Sequence, residues 1–223
     1  MSNIITDPTE LLELLSLSES DLPIGRAALH QFPLKVPRPF VDKMTPGDWN
    51  DPLLLQVWPA QAEEKKSQGY IADPLAEASS NPVPGLLHKY HGRVLLTAAP
   101  HCAVHCRYCF RRHFDYGENS PTRALWQRCF DYVETDSSIE EVILSGGDPL
   151  ALSDKQLGWL LDQIDQIGHV TTVRIHSRVP VVIPQRVSPE LLALLSSRRC
   201  KIVLVVHCNH GNEIDLEFVN RMR

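Results

Sequence analysis

Positive charge is in short supply. The chain carries 22 Lys and Arg against 27 Asp and Glu in 223 residues, a formal charge of −5, so no summed positive field draws it onto phosphate backbones. Nucleic acid is therefore not an expected partner. Long apolar runs are missing as well. No window approaches the ~18 uninterrupted apolar residues that a membrane span needs, and the N-terminus, MSNIITDPTELLELL, lacks the basic-then-apolar order of a secretion signal. The expected setting is the cytoplasm, with no membrane partner. Aromatic residues make up only 7%, yet 43% hydrophobic and 22% charged residues are ordinary for a globular protein. A chain of this length buries roughly 70% of its unfolded surface, so a real core can form. A disulfide framework is also lacking: Cys102, Cys106 and Cys109 crowd one loop, while Cys129, Cys200 and Cys208 are scattered. Secreted scaffolds are short and evenly Cys-dense. Metal chemistry in a reducing compartment fits the clustering better, with the scattered cysteines serving as small buried apolar residues.

Regular structure is sparse before residue 93. Asp7-Pro8 followed by TELLELLSLS predicts a capped amphipathic helix of about ten residues. The prolines that follow, among them Pro33, Pro37, Pro39, Pro46, Pro52 and Pro59, permit only short helices, at RAALHQF and DPLLLQVW. Residues 1–92 are expected to form a mostly helical, Pro-rich region that wraps the domain of residues 93–223.

From Arg93 onward short apolar runs alternate with helical periodicity. The runs VLLTA, EVILSG, TVRIH and KIVLVVH predict four strands. The stretches TRALWQRCFDYVET, SDKQLGWLLDQIDQI and SPELLALLSS, each opening on Ser or Thr, predict capped helices. The repeat of roughly 30 residues implies right-handed βαβ units, hence an α/β fold with a parallel sheet. A further helix begins at EIDLEFVNRMR. Four strands cannot close a (β/α) barrel, so a partial barrel is expected, and the chain is expected to be an incomplete form of a longer one.

Chemistry in parallel α/β folds gathers beyond the carboxyl ends of the strands. The four strand exits here are APHCAVHCRYCFRR, SGGDP, HSRVPVVIPQR and HCNHGNE, whereas the helix-to-strand returns are bland. Cys102-x3-Cys106-x2-Cys109 offers three thiolates on one loop. Zinc would need a fourth ligand, for which His101, His105 and His113 are near; alternatively three thiolates hold three irons of a [4Fe–4S] cube and leave the fourth iron open. In Ser145-Gly146-Gly147-Asp148-Pro149, two glycines admit close backbone approach, and carbonyls with a carboxylate can accept from an ammonium group. A βα turn using glycine for geometry alone is the plainer alternative. Arg174 and Arg178 flank the third strand's end, where a bidentate fork suits an anion. His207 ends the fourth strand, either as a satisfied core histidine or near a nucleotide.

The cysteine triplet, with Tyr108 before its last member, resembles the signature of the radical S-adenosylmethionine (SAM) superfamily. The resemblance implies a partial barrel of radical SAM type and a [4Fe–4S] cluster on Cys102, Cys106 and Cys109. It also implies SAM on the open iron, with Tyr108, Gly146, Gly147, Asp148, Arg174, Ser177 and His207 around it. HKYHGRVLL, CxxxCxxCFRRHF, ILSGGDPL, VRIHSRVPVVIPQR and HCNHGNEI, from about Leu86 onward, are similar in order and spacing to the lysine 2,3-aminomutase family. The upstream blocks LKVPRPFVDKM, DPLLLQVWP and VPGLLHKYH resemble the branch that makes β-lysine for elongation factor P.

The family resemblance implies pyridoxal 5′-phosphate (PLP) as second cofactor, a reducing electron donor, and migration of an amino group from C2 to C3 of L-lysine. Tyr90 and Arg93 match PLP contacts, and Arg111 matches the holder of the substrate carboxylate. None of the seven lysines, Lys35, Lys43, Lys65, Lys66, Lys89, Lys155 and Lys201, occupies the family's PLP-anchoring position. That position, and the carboxylates for the substrate's ε-ammonium, are expected beyond Arg223, so no catalytic residue is assigned here and the chain alone is expected to be inactive. Gly211 replaces the family's proline in a loop. A radical SAM enzyme without PLP, acting on another substrate, and a non-catalytic zinc-binding module remain the alternatives.

Overall fold

In the computed structural model, residues 3–18, 24–65, 68–69, 71, 75, 77–113 and 122–223 are described; Lys66 and Phe114 lie outside them. Near the N-terminus, β1 (Ile4–Ile5) leads into α1 (Pro8–Leu14). Asp7 caps α1 through its side chain, which accepts from the Thr9 N–H at 2.9 Å, and Leu11 and Leu12 supply the buried face. Then come α2 (Arg26–Gln31), β2 (Val36–Pro37), which pairs antiparallel with β1, and α3 (Arg38–Val41). The stretch DPLLLQVW forms only a single 3-10 turn at Leu54–Gln56, opened by Asp51, whose side chain accepts from the Leu53 and Leu54 N–H groups, and closed off by Pro59.

The main sheet has five strands rather than the four expected. β3 (Leu86–Tyr90) pairs antiparallel with β4 (Arg93–Ala99) through the two-residue turn His91-Gly92, where Gly92 takes φ +78°. After α4 (Arg123–Thr135) comes β5 (Glu141–Gly146), followed by α5 (Asp154–Gln166) and β6 (Thr172–Ser177). Next are α6 (Val179–Val182), α7 (Pro189–Ser196), β7 (Lys201–Val206) and α8 (Leu216–Met222). Spatial order equals chain order, β3-β4-β5-β6-β7, and every pair from β4 to β7 is parallel. Ser153 and Gln156 close a capping box on α5, while Thr122 and Ser188 cap α4 and α7.

Burial alternates along β5 and β6. Val142, Leu144, Val173 and Ile175 pack with Trp126, Phe130, Leu160 and Leu191 of the helices into one apolar core. Glu141, Ile143, Ser145, Arg174 and His176 lie on the opposite, concave face. A second core gathers Leu11, Phe40, Leu54 and Trp58 with Val104, Val181 and Val182 of the strand-exit loops. The N-terminal chain is thereby sealed against the carboxyl edge of the sheet. Among the described residues no helix is long and apolar enough to cross a membrane.

Candidate active site: a cysteine loop and the adjoining cavity

β4 runs straight into the loop bearing Cys102, Cys106 and Cys109, none in a disulfide and each partly accessible. The N-terminal chain grips this loop along its length. Lys35 Nζ donates to the Cys102 carbonyl at 2.7 Å, and the His105 N–H donates to the Lys35 carbonyl at 2.8 Å. Arg107 forks onto Glu63 at 2.9 and 2.7 Å, with Arg112 on the same carboxylate at 2.9 Å. Burial opposes ionisation of Glu63, yet the two guanidinium groups together hold its carboxyl below the usual range. Burial pushes all three cysteine thiols up; at Cys106 the adjacent Arg178 charge works against it.

The glycines of SGGDP serve this packing directly. Gly146 has φ +99°, and a Cβ there would lie 2.7 Å from the Thr97 methyl. At Gly147 a Cβ would lie 2.3 Å from the His101 carbonyl oxygen. The close approach expected at these glycines is thus made by the cysteine loop itself. Asp148 is not an open acceptor either. Its Oδ1 accepts from Ser177 Oγ at 2.7 Å and the Leu150 N–H at 3.0 Å, and its Oδ2 accepts from the N–H groups of Arg178 and Val179 at 2.7 and 3.1 Å. Burial raises this carboxyl, and the four donors favour its ionised form. Asp148 and Ser177 together tie the β5 exit to the β6 exit.

Of the two arginines near β6, only Arg178 joins the cysteine loop, donating to Cys106 Sγ at 3.2 Å. Arg174 sits lower on the concave face, paired with Glu141 at 2.6 Å. The remaining exit is drawn in by polar contacts: Tyr108 packs edge-on against His207, whose Nε2 meets Asn209 Oδ1 at 2.9 Å, and the Asn209 amide reaches the Tyr108 hydroxyl. Gly211 opens a short turn with no special backbone demand. Cys129 and Cys200 are buried as expected, but Cys208 is exposed, because it follows β7 at the sheet's edge.

Tyr90, Arg93 and Arg111 converge on one cavity of about 690 Å³, its open mouth included, shared with Glu77, Leu87, Lys89 and Ile143. Arg93 is the first residue of β4, so the cavity extends along the concave face toward the amino end of the sheet instead of keeping to the carboxyl edge. Arg111 is buried; it grips Glu77 through Nε and Nη2 at 3.1 and 2.6 Å and reaches Ser145 Oγ at 3.1 Å. Gln56, Glu77 and Glu213 carry much of this organisation and went unmarked in the sequence, where a glutamine in a Pro-rich stretch and two glutamates in loops give no signal of their own. Gln56, inside DPLLLQVWP, and Glu213, inside HCNHGNE, lay within motif blocks, but neither was singled out.

The donor sets suit the expected groups. Three unpaired thiols on one loop can each take a separate iron, whereas among the described residues no three His, Cys, Asp or Glu side chains could hold a single metal ion. Arg93 and Arg111 in one cavity suit a phosphate and a carboxylate.

Comparison with known proteins places the same residues in a wider frame. A family model described as a 4Fe-4S single cluster domain matches residues 91–177. An L-lysine 2,3-aminomutase of Haemophilus influenzae is 48% identical over 223 residues, covering 100% of this chain and 66% of the relative. One of Escherichia coli is 47% identical, covering 100% and 65%, and one of Methanococcus maripaludis is 35% identical, covering 97% and 51%. The chain spans just under two thirds of the first two relatives' lengths.

Proposed function

The chain belongs to the L-lysine 2,3-aminomutase family, and we propose on that premise that it serves the conversion of L-lysine to β-lysine. The observation that carries this reading is the meeting of the cysteine triplet's loop, through Arg111, with the cavity that holds Tyr90 and Arg93. Members of the family use a [4Fe–4S] cluster, SAM and PLP. When bound, the iron cube supplies the electron that cleaves SAM to a carbon radical, and PLP supplies a π-system able to spread an unpaired electron.

The protein's own part is to bind, orient and shield. Cys102, Cys106 and Cys109 would hold three irons, and the packing of their loop under the N-terminal chain limits the water that reaches them. Gly146 and Gly147 bring the β5 exit against the cysteine loop, so that main-chain carbonyls, in place of the saturated Asp148 carboxylate, accept from the SAM amino group. Tyr108 and His207, packed edge-on, would help hold the adenosyl group, and Arg174 lies deeper on the concave face. Arg93 would hold the PLP phosphate beside Tyr90, whose ring lies 5.9 Å from the guanidinium carbon. Arg111 takes the substrate carboxylate on the fork that Glu77 fills here.

We place the protein in the cytoplasm, with its product passing to the enzymes that modify elongation factor P; the upstream blocks LKVPRPFVDKM and DPLLLQVWP support that branch. A reducing protein partner would supply the electron. In the test, the protein is reconstituted anaerobically with iron and sulfide. It then receives PLP, SAM, dithionite and L-lysine, and β-lysine is sought by mass spectrometry. Its formation is the expected result. 5′-Deoxyadenosine without β-lysine would overturn lysine as the substrate, and bound zinc with neither product would overturn the radical chemistry.

A further inference from the structure

Arg178 is committed to more partners than any turn requires. Its Nη1 donates to Cys106 Sγ at 3.2 Å, and its Nη2 donates to Gln56 Oε1 at 2.6 Å and meets Glu213 Oε1 at 3.4 Å. The guanidinium lies between two aromatic faces, 5.4 Å from Phe40 and 5.5 Å from Tyr108. Arg178 is 5% exposed and Glu213 is fully buried. Gln56 in turn donates to Glu213 Oε1 at 2.8 Å, while Lys43 holds the Glu213 carbonyl at 2.9 Å. The Leu54–Gln56 turn and the β7 exit thus both hold the guanidinium by which the β6 exit reaches the Cys106 sulfur. A structural role alone would not require the fork to end on a cysteine.

Resting on the cluster reading above, we infer that Arg178 is a positioning residue that sets the reduction potential of the iron–sulfur cluster through Cys106. A hydrogen bond to a ligand sulfur withdraws electron density and favours the reduced, more negative cluster, and burial strengthens the effect because little water screens it. Glu213 acts with the opposite sign: its carboxylate offsets part of the guanidinium charge and at the same time fixes its direction. Gln56 ties both groups to the N-terminal chain, which makes cluster potential depend on a segment that supplies no ligand.

The experiment is an anaerobic redox titration of the reconstituted chain, followed by electron paramagnetic resonance and accompanied by iron analysis. Arg178→Gln should retain iron and move the midpoint potential to a more negative value, with Arg178→Lys falling between it and the parent chain. Glu213→Gln should move it the other way, an inversion that general damage to packing would not produce. Should Arg178→Gln fail to take up iron, Arg178→Lys is read in its place and must lie below the parent. Parental potentials in the iron-loaded variants, or shifts of the same sign at Arg178 and Glu213, would overturn the inference while leaving the cluster reading intact. A parent chain that takes up no iron would overturn both.

Discussion

Cys106 and Cys129 show how differently one residue type is used within this protein. Cys106 lies on a loop with two companions and an arginine at its sulfur; Cys129 is packed in α4 against the sheet, where burial raises its thiol to about 12. Cys106→Ala should therefore reduce iron content after reconstitution from about four per chain to a small fraction, since two thiolates leave two irons of a cube open. Cys129→Ala should keep its iron and lose about 1 to 2 kcal/mol of stability, as read by denaturant unfolding of the two variants beside the parent. Gly147 provides a sharper test of packing. With the His101 carbonyl oxygen 2.3 Å from where a Cβ would sit, Gly147→Ala should cost about 3 kcal/mol, the upper end for overpacking, because the obstacle is main chain that cannot swing away. A Gly147→Ala protein as stable as the parent would show that the β5 exit and the cysteine loop do not touch in this way. The cysteines, glycines and strand-end arginines were legible because their spacing carries chemistry. Asp148 was legible in position but not in use: four donors converge on it only after two strand exits have been brought together.

Among the elements, the four parallel strands and three long helices follow from apolar runs and Ser or Thr caps, and their observed bounds differ from the pattern by a residue or so. β3 was not foreseen. LLHKY is short and follows a Pro-rich stretch, and its pairing depends on the turn at His91-Gly92, a hairpin signal that a search for βα repeats passes over. The Leu54–Gln56 turn likewise stays short of a helix because Pro59, which has no N–H to donate, follows so soon after it. The joint between the N-terminal chain and the cysteine loop rests on Glu63, Arg107 and Arg112. Since the Glu63 carboxyl titrates below its ordinary value of 4.5 in the folded chain, its contribution is complete above that pH and fades as the pH falls through the folded value. The melting temperature of Glu63→Gln should thus lie below that of the parent at pH 7, with the gap narrowing as the pH is taken progressively below 4.5. A gap independent of pH would mean that the ion pairs add nothing.

Taken whole, the molecule is an open sheet with one apolar core under its helices and a second core along the carboxyl edge, and the cysteine loop lies where the two meet. That arrangement explains why an irregular segment with few elements of its own is well buried: Phe40, Leu54 and Trp58 lose their water against Val104, Val181 and Val182. It also explains why the cavity containing Tyr90, Arg93 and Arg111 reaches the cysteine loop from the concave face, since Arg111 belongs to that loop and Ser145 to the neighbouring strand. On the function proposed, Cys102, Cys106 and Cys109 hold an iron–sulfur cube with one iron open to SAM. The most direct test of this central claim is the electron paramagnetic resonance spectrum of the dithionite-reduced, reconstituted chain recorded before and after SAM is added. A cluster signal whose g values change with SAM is the result expected, and a cluster signal indifferent to SAM, or none at all with zinc in its place, would contradict the claim.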